Sequence, residues 1–265
     1  MTCNRSGSQA SWLYRFFFPR RFGREEKQPP PVPREELQAI FAQLMEWDAE
    51  DWGHYFLSKD PLKFRVSQSE AREIIQGSLA CAKDVHSYVI DIYGIRPAEA
   101  LCQALQIQLV REEGAQGNHA YLATFQEKPP KVRLFTRTAD SAVWLVREAG
   151  LGEILGVELS DLAEGGDKLK REIHELMIAH ELFHYFETCT PDIYTRRKLV
   201  TLPSLGSRER RSTLGAAGEI AATAFSQLYT GSRLSPGLVE MLVLCMNDLD
   251  YVRRICNNHS ACAKA

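Results

Sequence analysis

Apolar residues recur at helical spacing over 35–48, where Leu37, Ile40, Phe41 and Leu44 share a face. They recur again over 67–93, a long span that opens on Ser67 or Ser69 as a cap and stops at Gly94. A short helix is predicted over 97–105. The period then changes. Ile107 and Leu109 alternate with polar neighbours in 106–111, and 120–126 and 131–136 are strand-like as well, with turns at 114–118 and at Pro129-Pro130. Three short strands in succession predict a small three-stranded antiparallel sheet. Helical spacing returns over 139–148, which ends at Gly150, over 168–187, and over 212–229 and 236–254. The segment from 188 to 211 contains Arg196, Arg197, Lys198, Arg208, Arg210 and Arg211. It reads as a solvated loop, as charge runs usually are, and set over a cleft it would select acidic segments. The whole pattern predicts an α+β fold, mostly helical, with one small sheet near the helix at 168–187.

Composition narrows the class. Apolar residues make up 45% and charged residues 25% of the chain, the balance of a soluble globular protein. A net charge of -2 gives no electrostatic reason to expect a nucleic-acid partner. The seven cysteines, at 3, 81, 102, 189, 245, 256 and 262, form no regular framework. With no secretory leader and no long apolar span, reduced thiols in a cytoplasmic protein are expected, and no transmembrane segment. Residues 12–18 (Trp-Leu-Tyr-Arg-Phe-Phe-Phe), followed by Pro19, Arg20, Arg21, Phe22 and Arg24, are too short a run to span a bilayer. They either fold back on the domain or dock on a membrane surface or partner. Pro29–Pro31 and Pro33 make a stiff linker. The expected division is therefore an N-terminal tail and linker at 1–33, a folded domain at 34–255 and a C-terminal tail at 256–265. That tail holds Cys256, His259 and Cys262, three potential metal ligands where a closed structural zinc site needs four.

The most specific chemistry lies in the helix at 168–187, which contains His180-Glu181-Leu182-Phe183-His184. Two histidines four apart on a helix point the same way, one turn apart, so both imidazoles can share one metal ion. Glu181 follows the first histidine and can reach a water on that metal. This is the helix-borne HExxH pattern of zinc hydrolases. Leu169, Ile173, Leu176 and Met177 form a stripe that continues into both histidines, so the motif faces the core. The bland alternative is a pair of core histidines satisfied by hydrogen bonds. It must bury two imidazoles and a carboxyl group without a cation.

A hydrolytic zinc site takes three protein ligands and keeps one open position. The third ligand is expected from another element. Glu219 lies in the helix at 212–229 among Gly215, Ala216, Ala217, Gly218, Ala221 and Ala222, small residues that let its backbone approach the motif helix. A lone carboxylate there is expensive to bury unless it meets a cation. Glu187, Glu240 and Asp192 are the rival carboxylates.

The order of a helix, three short strands, a helix, an Ala-His-Glu-x-x-His helix and a helix with Glu-x-Ala-x-x-x-Phe is similar to that of the ImmA/IrrE-like zinc metallopeptidases. The likeness covers roughly 97–229. It rests on Ala179-His180-Glu181-Leu182-x-His184 and on Glu219-Ile220-Ala221-Ala222-Thr223-Ala224-Phe225. It implies a zincin-like metallopeptidase domain, a Zn2+ ion held by His180, His184 and Glu219, and Glu181 as the catalytic base. The family usually has glycine where this chain has Phe183. Its loop between the motif helix and the later glutamate is shorter, and many of its members carry a DNA-binding helix-turn-helix module not seen here.

The expected function is zinc-dependent hydrolysis of peptide bonds in a narrow protein or peptide substrate, a regulatory protein among the candidates. Glu181 would take a proton from zinc-activated water and pass it to the leaving amine. Tyr194, Tyr229 and His174 are candidate oxyanion donors. The strand at 131–136 is the expected sheet edge for an extended substrate. One alternative is a non-catalytic, zinc-containing regulatory or protein-binding module of the same fold. Another is a structural zinc domain whose function lies in the aromatic N-terminus.

Overall fold

The computed structural model describes residues 34–114, 122–202 and 210–262. The aromatic run and proline linker of 1–33, most of the 114–118 turn and Arg208 lie outside the described residues.

The chain enters through α1 (Arg34–Met45), which buries the predicted stripe Leu37, Ile40, Phe41 and Leu44. Next comes α2 (Ala49–Lys59), started by a reciprocal capping box between Asp48 and Asp51. The hydrophobic pattern hid this helix, because its aromatic face (Trp52, Tyr55, Phe56) follows α1 after only a short break. Ser67 and Glu70 form the cap of α3 (Gln68–Tyr93), which ends where Gly94 adopts φ 71. Then follow α4 (Ala98–Ala104), β1 (Gln108–Glu112), β2 (Ala123–Gln126), β3 (Lys131–Phe135) and α5 (Thr136–Ala149). Two short helices, α6 (Gly152–Leu155) and α7 (Leu159–Ala163), lead to α8 (Asp167–Cys189), the motif helix. The fold closes with α9 (Tyr194–Arg197), β4 (Leu199–Leu202), β5 (Arg210–Thr213), α10 (Gly215–Thr230), α11 (Pro236–Cys245) and α12 (Leu249–Cys262). No helix among the described residues is long and apolar enough to cross a membrane.

The architecture is α+β and mostly helical, with a small three-stranded sheet. The sheet is mixed, however, and not antiparallel throughout. Its order is β1-β3-β2, with β1 parallel and β2 antiparallel to β3. The three strands alternate in direction as in a meander, but the third has slipped between the first two. Alternating apolar positions mark a strand without naming its neighbour, and here burial decides. Val132, Leu134 and Phe135 give β3 the buried central place, and α8 packs along β2. The segment at 131–136 is therefore not the sheet edge. The edges belong to β1 and β2.

Three further expectations change. The arginine-rich segment is not a loop throughout, since it contains α9 and the antiparallel pair β4–β5. The helix expected over 236–254 is two helices, because the Asp248 carboxylate accepts the Tyr251 N–H at 2.9 Å and starts a new one. The C-terminal boundary at 256 falls inside α12. Cys256 is buried there, while the His259 ring lies 2.6 Å from Asp51 and packs on Trp47. His259 is thus committed to the α1–α2 corner.

At the centre of the molecule α10 packs against α3, α8 and α2. Ala216, Ala217, Gly218, Ala221 and Ala222 are all buried in α10, and their small volume permits this crowding. Phe183 from α8 and Phe225 from α10 meet with ring centroids 5.8 Å apart and fill the space between the two helices. That close approach brings the motif and Glu219 together.

Candidate metal centre

His180 and His184 sit one turn apart on α8, with ring centroids 5.2 Å from each other. From α10, Glu219 places Oε2 at 3.2 Å from His180 Nε2 and Oε1 at 3.6 Å from His184 Nε2. One donor atom from each of the three residues lies within 4.8 Å of the others. Among the described residues no other group of histidine, cysteine and acidic side chains converges in this way. All three side chains are buried, and Glu181 beside them is only 3% exposed.

The donor set fits a divalent metal. A tetrahedral ion with arms of about 2.0–2.1 Å has ligand–ligand edges of about 3.3 Å. The Glu219 contacts are of that order, 3.2 Å to His180 through Oε2 and 3.6 Å to His184 through Oε1, one oxygen to each ring. The charge balance agrees. Glu181, Glu187 and Glu219 surround two imidazoles in a dry interior, where unpaired carboxylates are costly. In the metal-free protein a proton has to take the place of a cation. Burial alone favours neutral His184, but the hydrogen bond to Glu187 and the negative charges of Glu219, Glu187 and Glu181 outweigh it and raise its pKa to about 10. Burial pushes Glu219 up, yet the His180 hydrogen bond and the two imidazoles hold it below the ordinary carboxylate range. Glu181 moves the other way. Burial raises its pKa, opposed by His180, His184 and the nearby Phe125 backbone N–H.

The Phe125 contact shows how the sheet enters the site. In the β2–β3 ladder the Phe135 N–H donates to the Leu122 carbonyl. By antiparallel alternation the Phe125 N–H then points away from β3. It turns instead toward Glu181 on α8.

The other candidates lie elsewhere. Glu240 pairs with Lys59, Nζ to Oε1 at 2.5 Å, and Asp192 is exposed. Glu187 is next to the cluster but on the far side of His184, with Oε2 at 3.2 Å from Nδ1. None of the three expected oxyanion donors makes a hydrogen bond to the cluster. The Tyr194 hydroxyl donates to the Glu73 carbonyl at 3.1 Å and the Tyr229 hydroxyl to the Arg96 carbonyl at 2.8 Å. His174 stands about 9 Å along the helix axis from His180, and its Nε2 is buried without a partner among the described residues. The motif spacing could not reveal these commitments, because each hydroxyl is claimed by a distant backbone carbonyl. Two contributors were missed, the Phe125 N–H and Thr195, which donates to Glu187 at 2.5 Å. Neither carries a signal in the sequence. No known protein family, curated protein or solved structure matches this chain.

Proposed function

We propose that the protein is a zinc metallopeptidase, related in type to the ImmA/IrrE-like enzymes, that cleaves a narrow protein or peptide substrate. The observation that carries this reading is the placement of Glu181 beside a buried His180–His184–Glu219 cluster. A purely structural site has no use for a carboxylate in that place.

His180, His184 and Glu219 would hold the ion. A zinc ion there supplies Lewis acidity, which makes a water more acidic and a carbonyl more electrophilic. Glu181 accepts the proton of the attacking water and delivers it to the departing amine. The raised pKa that burial gives Glu181 suits a group that must both take and release a proton near neutrality. The outer edge of β2, the side not paired with β3, offers backbone groups to an extended substrate. A cytoplasmic setting belongs to this reading, and Cys81, Cys102, Cys189 and Cys245 are free thiols.

The second reading, a non-catalytic zinc-containing module that binds a partner, is favoured by the enclosure of the site. His180 is 1% exposed and Glu181 3%, so a substrate reaches them only after the surrounding structure opens. Glu181→Gln separates the two. Under the peptidase reading this variant binds zinc like the parent and loses peptide cleavage by at least about a hundredfold. Biological activity that survives in zinc-loaded Glu181→Gln rejects proteolysis as the function.

A further inference from the structure

We infer that Glu187, held in place by Thr195, is a positioning residue that fixes His184 as a metal ligand. The inference rests on the metal-centre reading above and adds a residue outside the ligand set.

Glu187 follows His184 by three residues, so both share one face of α8. The two nitrogens of the His184 ring look in opposite directions. Nε2 is 3.6 Å from Glu219 Oε1, on the cluster side, and Nδ1 is 3.2 Å from Glu187 Oε2. With the metal at Nε2, Nδ1 carries the proton and donates it to Glu187. Such a carboxylate sets the tautomer, fixes the ring plane and makes the imidazole a more basic ligand. Glu187 serves this purpose and not as a ligand itself, because it meets the side of the ring that faces away from the cluster.

Glu187 is in turn held firmly. Its Oε1 accepts the buried Thr195 hydroxyl at 2.5 Å. Thr195 sits on α9, which is tied down on both sides. The Arg196 guanidinium donates to the Glu187 and Thr188 carbonyls at 3.2 and 3.3 Å, and the Tyr194 hydroxyl reaches α3. On the opposite side α10 makes room. A Cβ at Gly218 would lie 3.0 Å from Glu187 Oε1, so any other residue there crowds the carboxylate. Gly218 immediately precedes Glu219, and one stretch of α10 therefore supplies both a ligand and the space for this support. His180 has no equivalent. Its Nδ1 is buried with no hydrogen-bond partner among the described residues. The two histidines are thus unequal ligands, and Glu187 orients only one of them.

The test uses the full chain and measures Zn2+ affinity by competition with a chromophoric chelator, together with the visible spectrum of the Co2+-loaded protein. Glu187→Gln is expected to weaken zinc binding by about 10- to 100-fold and to shift the Co2+ bands. A general loss of stability would not move those bands. Thr195→Val, which leaves Glu187 itself intact, is expected to weaken binding less, and Thr195→Ser to restore it. His180→Ala serves as the ligand control. If His180→Ala abolishes binding while Glu187→Gln stays within about twofold of the parent with an unchanged Co2+ spectrum, the positioning role is wrong and the metal centre stands. If the parent binds no zinc, both fall together.

Discussion

A cation bound in the proposed centre would compete with a proton for His184. In the metal-free protein the Glu187 hydrogen bond and the carboxylates of Glu219 and Glu181 outweigh burial and keep this imidazole protonated to about pH 10. A metal binds only the neutral ring, so loading has to expel that proton. The sign follows directly. His184 is protonated everywhere below its raised pKa, so lowering the pH strengthens the competitor and weakens the metal. Zinc affinity measured between pH 8 and pH 6 should fall by about tenfold per unit for the one proton displaced. Binding that is flat across this range would show that no proton has to leave His184 when the metal enters. Phe183 poses a different question at the same scale. It occupies a place where the resembling family usually has glycine, and it is fully buried against Phe225. Phe183→Ala should destabilise the fold by about 3–5 kcal/mol, because the void between α8 and α10 cannot close without moving Glu219. Urea denaturation of the variant checks this.

The helix that carries Glu219 begins without a cap of its own, since Leu214 has no side-chain acceptor to offer. The acceptor comes from the end of α2. Buried Asp60 takes the Ala216 N–H at 2.9 Å with one oxygen and the Leu62 N–H at 2.8 Å with the other. Asp60→Ala should therefore cost about 1–2 kcal/mol of stability. Chemical denaturation measures the loss, and a change within experimental error would mean that water satisfies the end of α10 instead. Elements of this kind divide sharply in how much a sequence shows of them. Ser67, offered beside Ser69 as a cap, and Gly94 are local signals for the two ends of α3. A cap that arrives from 156 residues away has no local signature. The sheet behaves similarly. Alternation along 106–111, 120–126 and 131–136 located three strands, but strand order depends on which one the rest of the molecule buries. That is why β3 lies in the centre.

Across the whole molecule the candidate metal centre is a clasp between α8 and α10, joining His180 to a carboxylate 39 residues further along the chain. A ligand that binds only the folded state stabilises it by mass action, by about 2.7 kcal/mol at a free concentration one hundred times its Kd. For a domain of this size that corresponds to a rise of about 5–10 °C in melting temperature. Calorimetry with zinc and with a chelator should show the difference in the parent chain and none in His180→Ala. Equal melting in both conditions would leave the clasp without thermodynamic weight.

The motif, the burial of its face and the unusual setting of Glu219 were all legible in the sequence. Each is a matter of spacing on a single helix, or of a charge set among small apolar residues. The three-dimensional fold decided what depends on contacts between remote segments. It turned Tyr194 and Tyr229 away from the cluster and set Phe125 opposite Glu181. It also moved Glu187 from a rival ligand to the far side of His184. Helical periodicity says which way a side chain faces, but the atom it meets there belongs to another part of the chain.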